Sequence, residues 1–300
     1  VKILFVGGGR RVSLAKRFKN FGFEVISYEI DNTAPIKKES KLINGLKWKD
    51  EDIIHHLSNI IIDENINLVL PLQDQASAVC SQLDFKNKIV SSNKDANEIC
   101  LNKIKFENFI LNSKFNYIYP KGLNTEKIIV KPLYGSNSKG IKVINFKDLN
   151  QINDINNFVV QNYIENGKEI SVDCYFDKKS KMIDCVPRLR LEVQGGEVSK
   201  SITLIKNYLN ISNITKEIGE ELRLVGPACF QYILSEDKQL FIMEINSRFG
   251  GGVVLSLESG FNIIDLIKNE WILNKENNDY VSLWKENFGM NRYFEEFFYE

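Results

Sequence analysis

The residues with the most chemical potential lie in the last third of the chain. In Phe241-Ile242-Met243-Glu244-Ile245-Asn246, Glu244 and Asn246 are two apart, so a strand sends both side chains off one face. The run Ala228–Leu234 carries Gln231 and is joined to the next strand through the polar Ser235–Lys238. A turn centred on Glu236-Asp237 predicts Gln231 opposite Ile242, on the face of Glu244 and diagonal to it at roughly 7–8 Å. A three-residue turn would put Gln231 on the other face. One carboxylate with two amide oxygens suits Mg²⁺, which takes few protein ligands and completes its shell with phosphates and water. Arg248-Phe249-Gly250-Gly251-Gly252 follows at once, adding a fixed positive charge and a backbone able to close on an anion.

A second constellation is Val130-Lys131-Pro132-Leu133-Tyr134-Gly135-Ser136-Asn137-Ser138-Lys139-Gly140. Lys131 stands inside an apolar strand, on the side of Ile129 and Leu133. A buried ammonium is costly unless it snorkels or meets an anion. Gly135 and Gly140, with Ser136 and Ser138 between them, would let backbone N–H groups close on phosphate oxygens. No Gly-Lys-Ser/Thr opens a helix here, so it is not a Walker A loop. A third cluster, Gly7-Gly8-Gly9-Arg10-Arg11, follows a strand, with Glu29 and Asp31 further on. It lacks the last glycine of a dinucleotide fingerprint, since position 12 is Val, and reads as a tight strand-to-helix turn.

These groups need a scaffold. Lys2–Val6, Glu24–Ile30, Asn67–Leu72 and Lys88–Ser91 read as short buried strands, alternating with helical stretches Val12–Phe21, Asp50–Glu64 and Asp74–Leu83. That alternation predicts a parallel sheet with right-handed crossovers. After Asn93 comes one helical segment, Asp95–Leu111, carrying Lys103, and then strands at Lys127–Pro132, Ile141–Phe146, Asn157–Gln161, Glu169–Asp177, Met182–Arg188 and Ser199–Leu204. Ser212–Leu224 and Ile263–Leu273 read as helices, and the aromatic end Arg292–Tyr299 fits a strand or a helix. The fold class is α/β followed by α+β.

Composition removes several classes. Lys plus Arg and Asp plus Glu are 39 each, which gives no general attraction to nucleic acid or an anionic membrane. No apolar stretch approaches the roughly 18 residues of a spanning helix. The first residues run straight into a glycine turn, unlike a cleavable signal. The five cysteines are widely spaced without a C-x-x-C, which fits a reducing, cytoplasmic setting and no zinc site. The two histidines, His55 and His56, are adjacent on a polar helical face, so chemistry falls to Lys, Arg, Glu and amide side chains.

Taken in order, Lys103, Lys131 with its glycine loop, Gln161–Glu169, Gln231 and the string Glu244-Ile245-Asn246-Ser247-Arg248-Phe249-Gly250-Gly251 resemble the ATP-grasp superfamily. The likeness is greatest to stand-alone enzymes related to the large subunit of carbamoyl phosphate synthetase. The resemblance implies a Rossmann-like domain over 1–92 and an ATP-grasp domain over 93–300, with a small moving lid over roughly 113–160. It implies that Lys103 and Lys131 hold phosphates, that the loop with Gly135, Ser136, Ser138 and Gly140 closes on them, and that Gln161 leads into a hinge, Asn162-Tyr163-Ile164, reading the adenine edge. Glu169 would hold the ribose, and Gln231, Glu244 and Asn246 would bind magnesium. Arg248 would stand beside the transferred phosphate. The hinge position usually acidic is Asn162, and the residue before the first lysine, often Asp, is Asn102.

The implied function is an ADP-forming carboxylate–amine ligase working through an acyl phosphate, with ATP and two Mg²⁺ (Mn²⁺ as a substitute) as cofactors. ATP brings about four negative charges, which two such ions with Lys103, Lys131 and Arg248 more than offset. Arg188 and Arg190, beside Gly195-Gly196, are candidates to grip the acid; otherwise they pair with Glu192 or Glu197 on a surface strand. Gln73 and Asp74, after the strand Asn67–Leu72, are candidates to touch the acceptor. Partners would be a small carboxylate and an amine, with a homodimer compatible. The competing readings are a nicotinamide-dependent dehydrogenase using Gly7–Gly9, a non-catalytic ATP-binding protein, and, within the family, a carboxylase or thioester-forming enzyme.

Overall fold

The computed structural model describes residues 1–122, 125–135, 140–293 and 295–299. Its first sheet is parallel, with β1 (Lys2–Val6), β2 (Glu24–Glu29), β3 (Lys41–Asn44) and β4 (Leu68–Pro71) in the order β3-β2-β1-β4. Helices α1 (Val12–Asn20), α2 (Ile53–Asp63) and α3 (Asp74–Cys80) alternate with it. In β1, Ile3 and Phe5 enter one core while Leu4 and Val6 enter another, which is why the strand is apolar throughout. The short, half-exposed edge strand β3 was not foreseen. The expected strand at Lys88–Ser91 is reduced to a single parallel bridge between Val69 and Ile89.

The single helix expected over Asp95–Leu111 is two, α4 (Lys94–Leu101) and α5 (Lys103–Asn112). Asn102 divides them. Its backbone is extended, and its Oδ1 accepts the N–H groups of Ile104 and Lys105 at 3.0 and 3.1 Å, capping α5. This cap makes Lys103 the first helical residue.

The remaining strands form two antiparallel sheets. The small one is β6-β5-β7, from β5 (Lys127–Pro132), β6 (Lys142–Asn145) and β7 (Phe158–Asn162). The large one is β12-β11-β8-β9-β10-β13, from β8 (Lys168–Phe176), β9 (Met182–Gln194), β10 (Glu197–Thr203), β11 (Gly226–Leu234), β12 (Leu240–Asn246) and β13 (Gly289–Asn291). Helices α6 (Ile211–Glu221), α7 (Val253–Ser259) and α8 (Ile263–Ile267) complete the fold, α8 running on into a π-helical turn, Lys268–Ile272. The described residues beyond Asn291 are neither strand nor helix, contrary to expectation.

Strand alternation gives the large sheet two characters. Ile170, Val172, Cys174 and Phe230 pack into one core with Phe106, Ile110 and Ile218 from α5 and α6. Ser171, Cys229 and Gln231, at the alternate positions, border a cleft. The parallel sheet joins this body through a shared core in which Phe18 of α1 meets Phe249 edge-on, with centroids 6.3 Å apart. That contact carries the turn before α1 up to the glycine run after β12.

The β11–β12 hairpin differs from its expected register. Leu234 pairs with Leu240, the Ser235 N–H bonds the Gln239 carbonyl at 3.0 Å, and Lys238 adopts φ 65°, so the turn, 236–238, has three residues. Alone this would have moved Gln231 to the wrong face. A bulge at Met243 shifts the register a second time and restores it, so Gln231 lies directly opposite Glu244 instead of diagonal to it. The bulge also lets Ile242 and Ile245 both point into the core.

Candidate active site

A cleft of about 330 Å³ lies between the large sheet, the small sheet and the N-termini of α3 and α5. It is bordered by Lys103, Lys131, Gly135, Glu169, Gln231, Glu244, Asn246 and Arg248, together with Asp74, Arg188 and Arg190. Residues scattered over more than 170 positions thus share one space.

Lys131 is only 7% exposed on β5 and makes no ion pair among the described residues. Burial pushes its ammonium down to about 8, with Glu244 and Glu169 opposing that fall and Lys103 adding to it. A cation held so poorly is poised to gain an anion. Lys103 reaches the same loop from the helix side. Its Nζ donates to the Gly135 carbonyl at 3.2 Å and its N–H to that of Leu133 at 3.3 Å. Asn102 donates to the Tyr134 hydroxyl at 2.9 Å. Gly135 is the last residue described before the loop's middle. Ser136 and Ser138 lie outside the described residues, and Gly140 does not border the cleft.

The oxygen trio sits opposite. Gln231 and Glu244 face each other across the hairpin, and Asn246 follows on the same strand. Asn246 donates from Nδ2 to Glu244 Oε1 at 3.3 Å, Arg248 Nη2 donates to Asn246 Oδ1 at 2.9 Å, and Arg190 Nη1 to Gln231 Oε1 at 3.4 Å. Among the described residues no cluster of three His, Cys, Asp or Glu could hold a metal. One carboxylate with two amide oxygens is nevertheless the donor set of an ion that leaves most of its shell to phosphate and water, so the trio fits Mg²⁺.

Arg248 is fixed by Asp74, the first residue of α3, at 2.9 Å, and donates to the Phe249 carbonyl at 2.9 Å. Burial opposes its charge, yet Asp74, with Cys229 and Glu244 adding to it, holds the guanidinium above its ordinary value. Its buried Nε has no partner among the described residues. Arg190 pairs with Glu169 at 2.6 Å, and Arg188 with Asp173 at 2.7 Å. Neither pairs with Glu192 or Glu197. Those glutamates face Lys200 and Arg292, at 3.8 and 3.1 Å.

Some expected residues lie apart from the cleft. Gln161 is buried and donates from Nε2 to the Tyr119 hydroxyl at 2.7 Å, while its Oε1 has no partner among the described residues. Asn162 N–H bonds the Pro120 carbonyl at 2.8 Å and Tyr163 N–H that of Lys127 at 3.1 Å, so these two donors are committed to the fold; Ile164 follows them, also off the cleft edge. Gln73 donates to the Gly7 carbonyl at 3.2 Å rather than entering the cleft. The first glycine turn is filled from within, because the Glu29 carboxylate accepts the Gly9 N–H at 2.6 Å. Two residues were missed. Asp173 could be matched to Arg188 only with the β8–β9 register known, which sets Arg188 opposite Ser171. Arg11 borders the cleft from the turn before α1, and its signal was the paired arginines after Gly9.

Residues 154–291 match the family described as ATP-grasp in the biosynthetic pathway with Ter operon, and residues 3–90 match the PylC-like N-terminal domain. Residues 50–167 match the tubulin-tyrosine ligase family. No curated protein matches the sequence. Among solved structures, N5-carboxyaminoimidazole synthetase from Staphylococcus aureus, complexed with ADP, is 16% identical over 88% of this chain and 75% of its own, with a TM-score of 0.66. The L-amino acid ligase from Bacillus licheniformis is 14% identical over 94% and 78%, with a TM-score of 0.69. The biotin carboxylase domain of Hydrogenobacter thermophilus 2-oxoglutarate carboxylase, in complex with MgADP and bicarbonate, is 13% identical over 92% and 70%, also at 0.69. With two antiparallel sheets and the cleft between them after a PylC-like N-terminal segment, the chain has an ATP-grasp fold, and its residues 154–291 are similar to an ATP-grasp family.

Proposed function

We propose that the protein is an ADP-forming ligase that joins a small carboxylic acid to an amine at the expense of ATP. The observation that carries this reading is the convergence of Gln231, Glu244 and Asn246 with Lys103 and Lys131 across one cleft. The oxygens would hold two Mg²⁺, with Mn²⁺ as a substitute; bound there, the ions neutralise phosphate charge. The ammonium groups would take the remaining phosphate oxygens. Such an array does little covalent chemistry and mainly positions and stabilises a phosphoryl group in transfer.

In this scheme a carboxylate oxygen attacks the γ-phosphorus and the bond to ADP breaks. The amine nitrogen then attacks the acyl carbon, inorganic phosphate leaves with the carbon–oxygen bonding pair, and the nitrogen loses a proton. Arg248, held by Asp74, would face the phosphate that is transferred and released. The loop from Gly135 to Gly140 would cover the intermediate and keep water from it. Glu169, fixed by Arg190, would meet the ribose, and in the hinge Gln161 to Ile164 the adenine would be left to the carbonyls and the Ile164 N–H, since the Asn162 and Tyr163 N–H groups are engaged within the fold. The domains would be 1–92 and 93–300, with a lid over roughly 113–160. The S. aureus and B. licheniformis proteins, a synthetase and an amino acid ligase, support the class of reaction and leave the acid and amine open.

The test is ADP release with MgATP across a grid of carboxylic acids and amines, with products read by mass spectrometry. ADP release that requires both an acid and an amine, with a condensed product, is expected. Binding of NADH without any response to ATP would overturn the reading.

A further inference from the structure

We propose that Arg11, together with Arg188, binds a second anionic group on the acid substrate, so the acid carries a negative group besides the carboxylate that is activated. This rests on the ligase reading and names its substrate class, an acid with two anions. Arg248, Arg190 and Arg188, which border the cleft, each face a carboxylate: Asp74, Glu169 and Asp173. Arg11 makes no ion pair among the described residues, the nearest carboxylate influence being the more distant Glu197, which itself pairs with Arg292. Its Nη1 and Nη2 donate only to the carbonyls of Gly250 and Phe249, at 2.7 and 3.5 Å.

Arg188 adds an independent sign. Its side chain is 2% exposed and meets Asp173 through Nε and Nη2, leaving Nη1 buried without a partner among the described residues. A buried N–H left unpaired in a cleft wall is a place for an acceptor. The two guanidinium groups lie against successive glycines of one loop. A Cβ on Gly251 would lie 3.9 Å from Arg11 Nη1, and one on Gly252 would lie 2.4 Å from Arg188 Nη1. Burial and the neighbouring Arg248 push the Arg11 guanidinium down to about 10, with Glu197 opposing the fall and Arg292 adding to it, and an added anion would act against it. Tying the loop to α1 accounts for the carbonyl contacts of Arg11 and leaves Arg188 Nη1 unexplained.

The test is calorimetric titration of the full chain, with and without MgADP, using glutarate, succinate and the mono-acid butyrate. Wild type is expected to prefer the dianions roughly tenfold or more. Arg11→Gln is expected to lose that preference, with its MgADP Kd kept within about twofold, and Arg11→Lys to restore part of it. On the wild-type protein, glutarate and not butyrate should slow phenylglyoxal labelling of the peptide holding Arg11, a readout that stands if the variants fail to fold. A dianion preference kept in Arg11→Gln, or missing from wild type in both states, overturns the inference. Failure of MgADP to bind while the preference persists overturns the ligase reading alone.

Discussion

Gln231 and Glu244 stand directly opposite each other across the β11–β12 pair, an alignment that takes both a three-residue turn and a bulge at Met243. Their Cβ atoms are therefore about 4.5–5.5 Å apart, close enough for one cation to touch both oxygens. Glu244 is the only carboxylate of the trio. Glu244→Gln keeps the shape and removes the charge. It is expected to cut ADP release by about 100-fold or more and to weaken the dependence of nucleotide binding on Mg²⁺. Steady-state kinetics over a Mg²⁺ series check this, and an unchanged rate would release Glu244 from the metal role.

Lys131 predicts a conflict between binding and stability. Its ammonium falls from the ordinary 10.5 to about 8 in the folded chain, so folding holds fewer protons than unfolding between those values. The cost is fully present below pH 8 and disappears as pH rises toward 10.5. Lys131→Met should therefore stabilise the unliganded protein at pH 7 by up to about 3 kcal/mol while losing nucleotide affinity. Urea melts at pH 7 and 10 measure the first effect. A variant no more stable than wild type at pH 7 would mean that solvent reaches the ammonium.

The same residue sets a pH dependence of binding. If only the protonated amine grips phosphate, the Kd for MgATP should rise about tenfold per unit above pH 8. Lys131→Arg keeps its charge throughout and should flatten this limb, even if its absolute affinity is lower. Titrations between pH 6.5 and 9.5 decide it. A wild-type limb indistinguishable from that of Lys131→Arg would put the pH response elsewhere.

What the sequence disclosed followed physical locality. Lys131 could be placed because a lysine in an apolar strand is anomalous, and the strand Lys127–Pro132 is found with those bounds. The common face of Glu244 and Asn246 needs only the period of a strand, and both border the cleft. Their exact relation to Gln231 needed the bulge, and nothing in Ile242-Met243-Glu244 announces one. The split at Asn102 hid because a capping Asn inside a helical pattern looks like any polar helix residue. The strand β3 was lost because two of its residues are exposed and it has little alternation to read. Arg11 and Asp173 belong to a third kind. Their roles come from contacts across 239 and 15 positions, made when separate elements pack.

Asp173 supports the last expectation. It is buried on β8, accepts from Arg188 Nε and Nη2, and takes the Ser256 hydroxyl at 2.6 Å, so one carboxylate fixes β9 and α7 against the glycine run. Asp173→Ala would leave the Arg188 charge buried and unpaired and should destabilise the fold by about 3–5 kcal/mol. Gly250→Ala attacks the same point from the other side. Its Cβ would lie 2.8 Å from Asp173 Oδ1 and 2.7 Å from Cys229 Sγ, neither of which is a flexible chain end, so the carboxylate must shift. About 1–3 kcal/mol is expected from this crowding. Because both changes act through Asp173, the double variant should cost clearly less than the two single costs added together. Thermal melts of the three variants measure the coupling, and strict additivity would mean that the glycine run and the Asp173–Arg188 pair are held independently.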